Sequence, residues 1–273
     1  MSLPTIVSFW HGPISWLEAL SVRSFIRHGH RVEIYAYEPL EGLPEGAIVR
    51  DATEILPRDQ LVFYKGQGTP GVFSDRFRLC LLQQGKGLYS DLDVYCLKPF
   101  ADLPDYVMGF ETAISVNNAV LRIPADAPLL DDLLGVFERH GRPLLEPHLP
   151  LGRRLEVAIR RVFGDPVAPE HMQFGATGPF ALTHYVKQRG LLPQVLPAPV
   201  FYPIPYEGVP ELMQPGSSID AAIRPATLAV HIWRSQLTRR GRAGMPLPPE
   251  GSALHTLCQR EGIVLPSAPA AAS

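Results

Sequence analysis

Asp91 and Asp93 stand one residue apart in the run Leu88-Tyr89-Ser90-Asp91-Leu92-Asp93-Val94-Tyr95. On an extended chain alternate side chains share a face, so this spacing predicts two carboxylates side by side, close enough to hold one cation. Paired oxygen ligands suit a hard divalent ion, Mn²⁺ or Mg²⁺, which completes its shell with substrate phosphates. The spacing alone equally fits a strand end whose acids face solvent. Asp75 and Arg78 form a second pair, three apart on a helical stretch. The Arg fork can grip two phosphate oxygens. If Arg78 met only Asp75, the pair would be a helix salt bridge worth about 0.2–0.5 kcal/mol. In Thr227–Ser235, read as a strand, His231 and Trp233 fall on one face.

These residues need elements to carry them. Phe73, Phe77, Cys80 and Leu81 recur at helical spacing, with Ser74 as N-cap and Asp75 in the first turn, where a negative charge suits the helix dipole. Gly85 and Gly87 end that helix, and Leu88–Tyr95 reads as the strand behind the aspartates. Earlier, Thr5–Trp10 predicts a buried strand. Ser15-Trp16-Leu17-Glu18 predicts a capping box opening a helix to about His28, stopped by Gly29. Val32–Ala36 alternates as a second strand, so the chain opens with a strand–helix–strand unit. Ligands of open α/β sheets sit beyond the carboxyl ends of the strands. That rule places Trp10, His11 and Tyr35–Glu38 at a binding rim, with Trp10 or Tyr37 as a stacking surface for a base.

Further along, a short strand is expected at Ala47–Arg50. Tyr64–Gly71, with three glycines, predicts a lid-like loop. Strands are expected at Val107–Glu111 and Ser115–Leu121, helices at Asp131–His140, Leu151–Phe163 and about Phe180–Gln188, and an extended, proline-punctuated segment at Gln194–Tyr206. The Leu151–Phe163 helix carries Arg153, Arg154, Arg160 and Arg161; such a basic helix either faces solvent or rests on an anionic membrane surface. Arg239, Arg240 and Arg242 offer further contacts to phosphate or to solvent.

Composition narrows the class. The 273 residues are 46% apolar, enough for a large α/β core spanning 1–265, with the Pro/Ala-rich residues 266–273 read as a flexible tail. A formal net charge of −2 provides no global field for nucleic acid. Three cysteines without a C-x-x-C pattern argue against a disulfide framework. No signal-peptide pattern opens the sequence and no run has the length of a membrane span, so the expectation is a cytoplasmic protein.

The stretch Phe73–Phe100, with S-D-x-x-R on a helix, a G-K-G turn and then L-Y-S-D-L-D-V-Y-C-L-K-P, resembles the DXD-containing sugar transferases. That family includes α-1,4-galactosyl- and α-1,4-N-acetylglucosaminyltransferases. The family usually has G-G where Lys86 here separates Gly85 from Gly87. The resemblance implies a GT-A fold, a Rossmann-like mixed sheet flanked by helices, and a nucleotide-sugar donor, UDP-linked by preference. It implies transfer of a hexose or N-acetylhexosamine to a glycan or lipid-linked acceptor with retention. The lipid-linked case would bring peripheral contact with the inner membrane surface. By the same match Asp91 and Asp93 hold Mn²⁺ or Mg²⁺, His231 of the H-x-W motif completes the metal shell, and Trp233 lies beside the donor. Asp75 and Arg78 hold the donor sugar and phosphate, Asn118 of S-V-N-N-A-V-L lies near a sugar, and Thr177-Gly178-Pro179 forms a substrate-facing turn. Two alternatives stand beside it. A haloacid-dehalogenase-type phosphatase would use Asp91 as nucleophile, although Tyr95 replaces the Thr or Val expected there. A non-catalytic nucleotide-sugar-binding protein would bind the donor without turning it over.

Overall fold

The computed structural model describes residues 3–64, 68–138, 148–164, 168–172, 174–238 and 244–266. Residues 65–67 of the expected lid, the end of the helix expected to reach His140, the tail beyond Pro266, and Arg239, Arg240 and Arg242 lie outside the described residues.

The fold is mixed α/β. A six-stranded sheet runs in the order β3-β2-β1-β4-β7-β6. Its strands are β1 (Ile6–Phe9), β2 (Val32–Ala36), β3 (Ala47–Asp51), β4 (Leu88–Ser90), β6 (Val107–Phe110) and β7 (Val116–Arg122). The first four strands in that order are parallel; β7 is antiparallel to β4 and to β6. Alternation sends Ile6, Val32, Ile34 and Leu88 into one core and Val7, Phe9, Tyr35 and Tyr89 into the other. Helix α1 (Trp16–Arg27) and α7 (Ala253–Arg260) cover the first core. Helices α2 (Gly71–Gln83), α3 (Pro128–Glu138) and α5 (Ala181–Gln188) cover the second. A sheet covered on both faces explains why β1 and β2 are buried along their whole length. Helix α4 (Leu151–Val162) and the one-turn α6 (Arg234–Leu237) complete the helices among the described residues.

The expected capping box is present: Ser15 N and Oγ donate to Glu18 Oε2 at 2.7 and 2.6 Å. Three expectations are corrected. The helix before the aspartates starts at Gly71, a turn earlier than Ser74; Ser74 N already donates to Pro70 O at 2.8 Å, so Asp75 sits beyond the first turn, away from the dipole's positive end. The predicted strand Leu88–Tyr95 is two strands. β4 ends after Ser90, the chain turns at Leu92-Asp93, and β5 (Val94–Cys96) pairs instead with β8 (Ala229–His231). The break follows from where the backbone finds partners. Asp91 N makes the last bond to the main sheet, to Ala119 O at 2.7 Å, while α1 reaches down with Ser21 Oγ to Val94 O and Ser24 Oγ to Cys96 N. Finally, Gln194–Tyr206 is extended only in part: Leu196 pairs with Gly109, whereas Ala198–Val200 makes a 3₁₀ turn around Pro199 and another opens at Tyr206.

Candidate active site

Three parallel strands end in a candidate residue. Trp10 follows β1, Tyr37 follows β2 and Asp91 follows β4, so the sheet itself delivers them to one edge. Asp91 and Asp93 do come together, though not by strand period: the turn between β4 and β5 folds them toward β8. One oxygen from each and one ring nitrogen of His231 lie within 4.8 Å of one another. His231 sits opposite Val94 in the β5–β8 ladder, with Nε2 3.1 Å from Asp93 Oδ1. Its Nδ1 is buried and has no hydrogen-bond partner among the described residues.

The charges of this cluster are unequal. Burial, with the neighbouring Asp93, pushes the Asp91 carboxyl up to about 6, against the pull of Arg78. Asp93 is also desolvated, yet His231 and the backbone N–H of Arg234, which donates to Oδ2 at 2.8 Å, hold it below its ordinary value. Two carboxylates and an imidazole, with an orphaned ring nitrogen, form a donor set that fits Mn²⁺ or Mg²⁺.

Asp75 and Arg78 occupy a different setting, neither on the surface nor in a helix-only pair. Asp75 accepts from Asn118 Nδ2 at 2.9 Å and Thr177 Oγ1 at 2.8 Å, and Arg78 Nη2 lies 3.4 Å away. Arg78 is buried across the core: Nη1 donates to Asn118 O at 2.6 Å, Nη2 to Asp91 Oδ1 at 3.1 Å, and the guanidinium stacks 4.5 Å over the Tyr89 ring. Tyr89 Oη also donates to Asp91 Oδ1, at 2.9 Å. Gly178 closes this hub, since a Cβ there would lie 2.7 Å from Asn118 Nδ2 and 2.8 Å from both Asp75 oxygens. Of the two asparagines on β7, Asn118 faces this hub. Asn117 turns away, donating from Nδ2 to Glu111 and accepting at Oδ1 from Ala119 N and Tyr202 Oη.

Trp10 and Tyr37 line one open cleft of about 590 Å³, with His11 and Glu38. Tyr37 Oη is tied to Leu56 O at 2.8 Å. Trp233 is not on that cleft. The chain leaves β8 at His231, Trp233 adopts a left-handed φ of 43°, and its ring packs behind His231 with centroids 4.3 Å apart.

Sequence reasoning missed Arg234 and Glu18. Arg234 joins the parts: its N–H bonds Asp93, its guanidinium carbon lies 5.5 Å from the Trp10 ring, and Nε lies 3.1 Å from Glu18 Oε1. Burial raises the Glu18 carboxyl, against Arg234. Glu18 was visible only as a capping residue, and nothing in the local pattern around Arg234 points to Asp93. Thr177 and Gly178 were expected in a substrate-facing turn, and instead Thr177 bonds Asp75 and Gly178 packs against it.

No known family profile matches the chain, and no curated protein matches it. Among solved structures it is similar to the PaToxG glycosyltransferase, at 15% identity over 70% of this chain and 72% of that one, with a TM-score of 0.43.

Proposed function

We propose that this protein is a metal-dependent glycosyltransferase acting on a nucleotide-diphosphate sugar. The observation that carries the reading is the Asp91–Asp93–His231 cluster at the carboxyl edge of the parallel strands, joined through Arg234 to the cleft lined by Trp10 and Tyr37. A divalent ion held by these three residues would offset charge on the diphosphate as the glycosidic bond breaks. The rest falls to the chain's own groups. Trp10 offers an aromatic face to a base in the cleft. Arg234, a third exposed along its side chain, stands between cleft and carboxylates, where it can grip a phosphate. Arg78 fixes the orientation of Asp91, so the cluster is preformed. Asp75, Asn118, Thr177 and Gly178 form the wall beneath. UDP as the nucleotide, Mn²⁺ as the ion, a glycan or lipid-linked acceptor and retention of configuration are the specific forms that the Phe73–Phe100 resemblance favours.

The test is a donor screen with Mn²⁺ across UDP-galactose, UDP-glucose, UDP-N-acetylglucosamine and GDP-mannose. Release of the nucleoside diphosphate, abolished by chelator and by Asp93→Asn, is the expected result. The anomeric configuration of the product decides retention. Binding of a donor without release would leave a nucleotide-sugar-binding protein. Cleavage of simple phosphomonoesters through a phosphorylated Asp91 would replace the reading with a phosphatase.

A further inference from the structure

Glu18 is a fully buried carboxylate whose two oxygens face different partners. Oε2 closes the cap of α1, accepting from Ser15 N and Ser15 Oγ. Oε1 is left out of that cap. It makes no hydrogen bond among the described residues and faces Arg234 Nε at 3.1 Å as an ion pair. The cap does not require the charge. A capping box closes equally well with Gln, and burying a carboxylate carries a desolvation cost that a neutral amide largely avoids. The charge on Glu18 is therefore matched to Arg234 and not to the helix.

Arg234 is pinned at both ends. Its N–H donates to Asp93 Oδ2 at 2.8 Å, which ties the main chain to the acidic cluster, and Glu18 holds the guanidinium. The guanidinium carbon lies 5.5 Å from the Trp10 ring, which lines the cleft. Glu18 reaches this point because α1 opens directly after the cleft wall: Gly12, Pro13 and Ile14 line the cleft, and Ser15 caps the helix. Among the described residues the cleft lining carries Glu38 and Glu41 but no Lys or Arg, and Arg58 is paired with Glu38. A diphosphate running from a base in the cleft toward the acidic cluster therefore meets its cation at Arg234. The contact to Glu18 uses Nε, the inner nitrogen of the fork, which leaves the two Nη groups for phosphate oxygens.

We propose that Glu18 is the positioning residue for Arg234, holding the guanidinium between cleft and acidic cluster so that the donor's diphosphate meets a preset fork. The proposal rests on the nucleotide-sugar reading given above. An arginine side chain left to itself spreads over many rotamers; one held by a buried counter-charge loses less freedom when phosphate binds. Glu18 is fully buried, so it acts through Arg234 and not on the donor itself.

The experiment is isothermal titration of the full chain with UDP and with GDP in the presence of Mn²⁺. Glu18→Gln should bind whichever nucleotide the wild type takes about tenfold more weakly, with Tm essentially unchanged, because the amide keeps the cap and loses the charge. Arg234→Ala should show a loss at least as large. Glu18→Gln/Arg234→Ala should bind no more weakly than Arg234→Ala alone, a non-additivity that a merely structural role for Glu18 would not produce. Arg234→Lys repeats the test should Glu18→Gln fold poorly: one ammonium cannot span Glu18 and a phosphate as a fork does, so binding should again fall about tenfold. Equal binding by wild type and a folded Glu18→Gln, additive losses in the double variant, or undiminished binding by Arg234→Lys overturns the proposal and leaves the transferase reading standing. A wild-type protein that binds neither UDP nor GDP overturns both.

Discussion

Two acidic centres lie side by side in this molecule, sharing Arg78 but differing in what else surrounds them. Around Asp75 the fold supplies the hydrogen-bond donors itself: Asn118 and Thr177 donate to the carboxylate, Arg78 stands beside it as the counter-charge, and Gly178 seals the space. Asp91 and Asp93 also have donors, in Arg78, Tyr89, His231 and the Arg234 N–H, but here two carboxylates and an imidazole converge, and the buried His231 Nδ1 has no partner among the described residues. The first centre is complete as a piece of core. The second offers a donor set for a cation. A carboxylate's surroundings, more than its position in a motif, separate a wall from a binding site.

Removing Arg78 tests the comparison hardest. The guanidinium neutralises both Asp75 and Asp91, so Arg78→Ala leaves two buried carboxylates without their counter-charge and should destabilise the protein by about 3–5 kcal/mol, read as a large fall in Tm. A surface pair would lose only about 0.2–0.5 kcal/mol, and a change that small would show that the hub is not closed. Next, saturating Mn²⁺ should raise stability, by about 2.7 kcal/mol at a hundredfold excess over Kd. Asp93→Asn should abolish that gain, whereas Asp75→Asn should keep it if folded. Equal gains in wild type and Asp93→Asn would place the ion elsewhere. Gly178→Ala drives a methyl onto Asp75 and Asn118 and should cost about 1–3 kcal/mol, without altering the stabilisation by Mn²⁺; a neutral result in thermal melts would mean the hub has slack.

The smallest effect is a pH trend. Asp91 titrates near 6 in the folded protein and at its ordinary value when unfolded. Between those values the folded state binds more protons, so this group makes the ion-free protein less stable as pH rises through that window. Mn²⁺ requires the carboxylate and should reverse the slope. Denaturant midpoints across that window, with and without Mn²⁺, check the sign.

The sequence makes the first core and the first parallel strands readable, because the apolar run Ile6–Phe9, the alternation over Val32–Ala36 and the Ser15–Glu18 capping box are local. The break after Ser90 is not local: it depends on Ala119 O accepting from Asp91 and on Ser21 and Ser24 meeting β5 from another element. The Asp91–Asp93 pair was legible, but the reason for its convergence was misread as strand alternation. Asp75 read as a first-turn acid and, with Arg78, as a donor-holding pair or a helix salt bridge; their burial was not legible, since the bonds that bury them arrive from Asn118 and Thr177, far along the chain. Trp233 read as a same-face partner of His231. Its ring does reach His231, but through a left-handed backbone turn that no hydrophobic period encodes.

The β5–β8 ladder has a consequence for how the protein is made. His231 pairs with Asp93 across 138 residues of sequence. During synthesis both aspartates emerge well before their third ligand, and the ladder closes one of the longest loops in the chain, a late event by its entropy. A partly made or partly folded chain carries the acidic motif without the means to hold an ion tightly. On the proposed reading, ion uptake would mark maturity, separating finished molecules from those still lacking β8, and a refolding chain should take up Mn²⁺ in its slowest phase rather than at collapse.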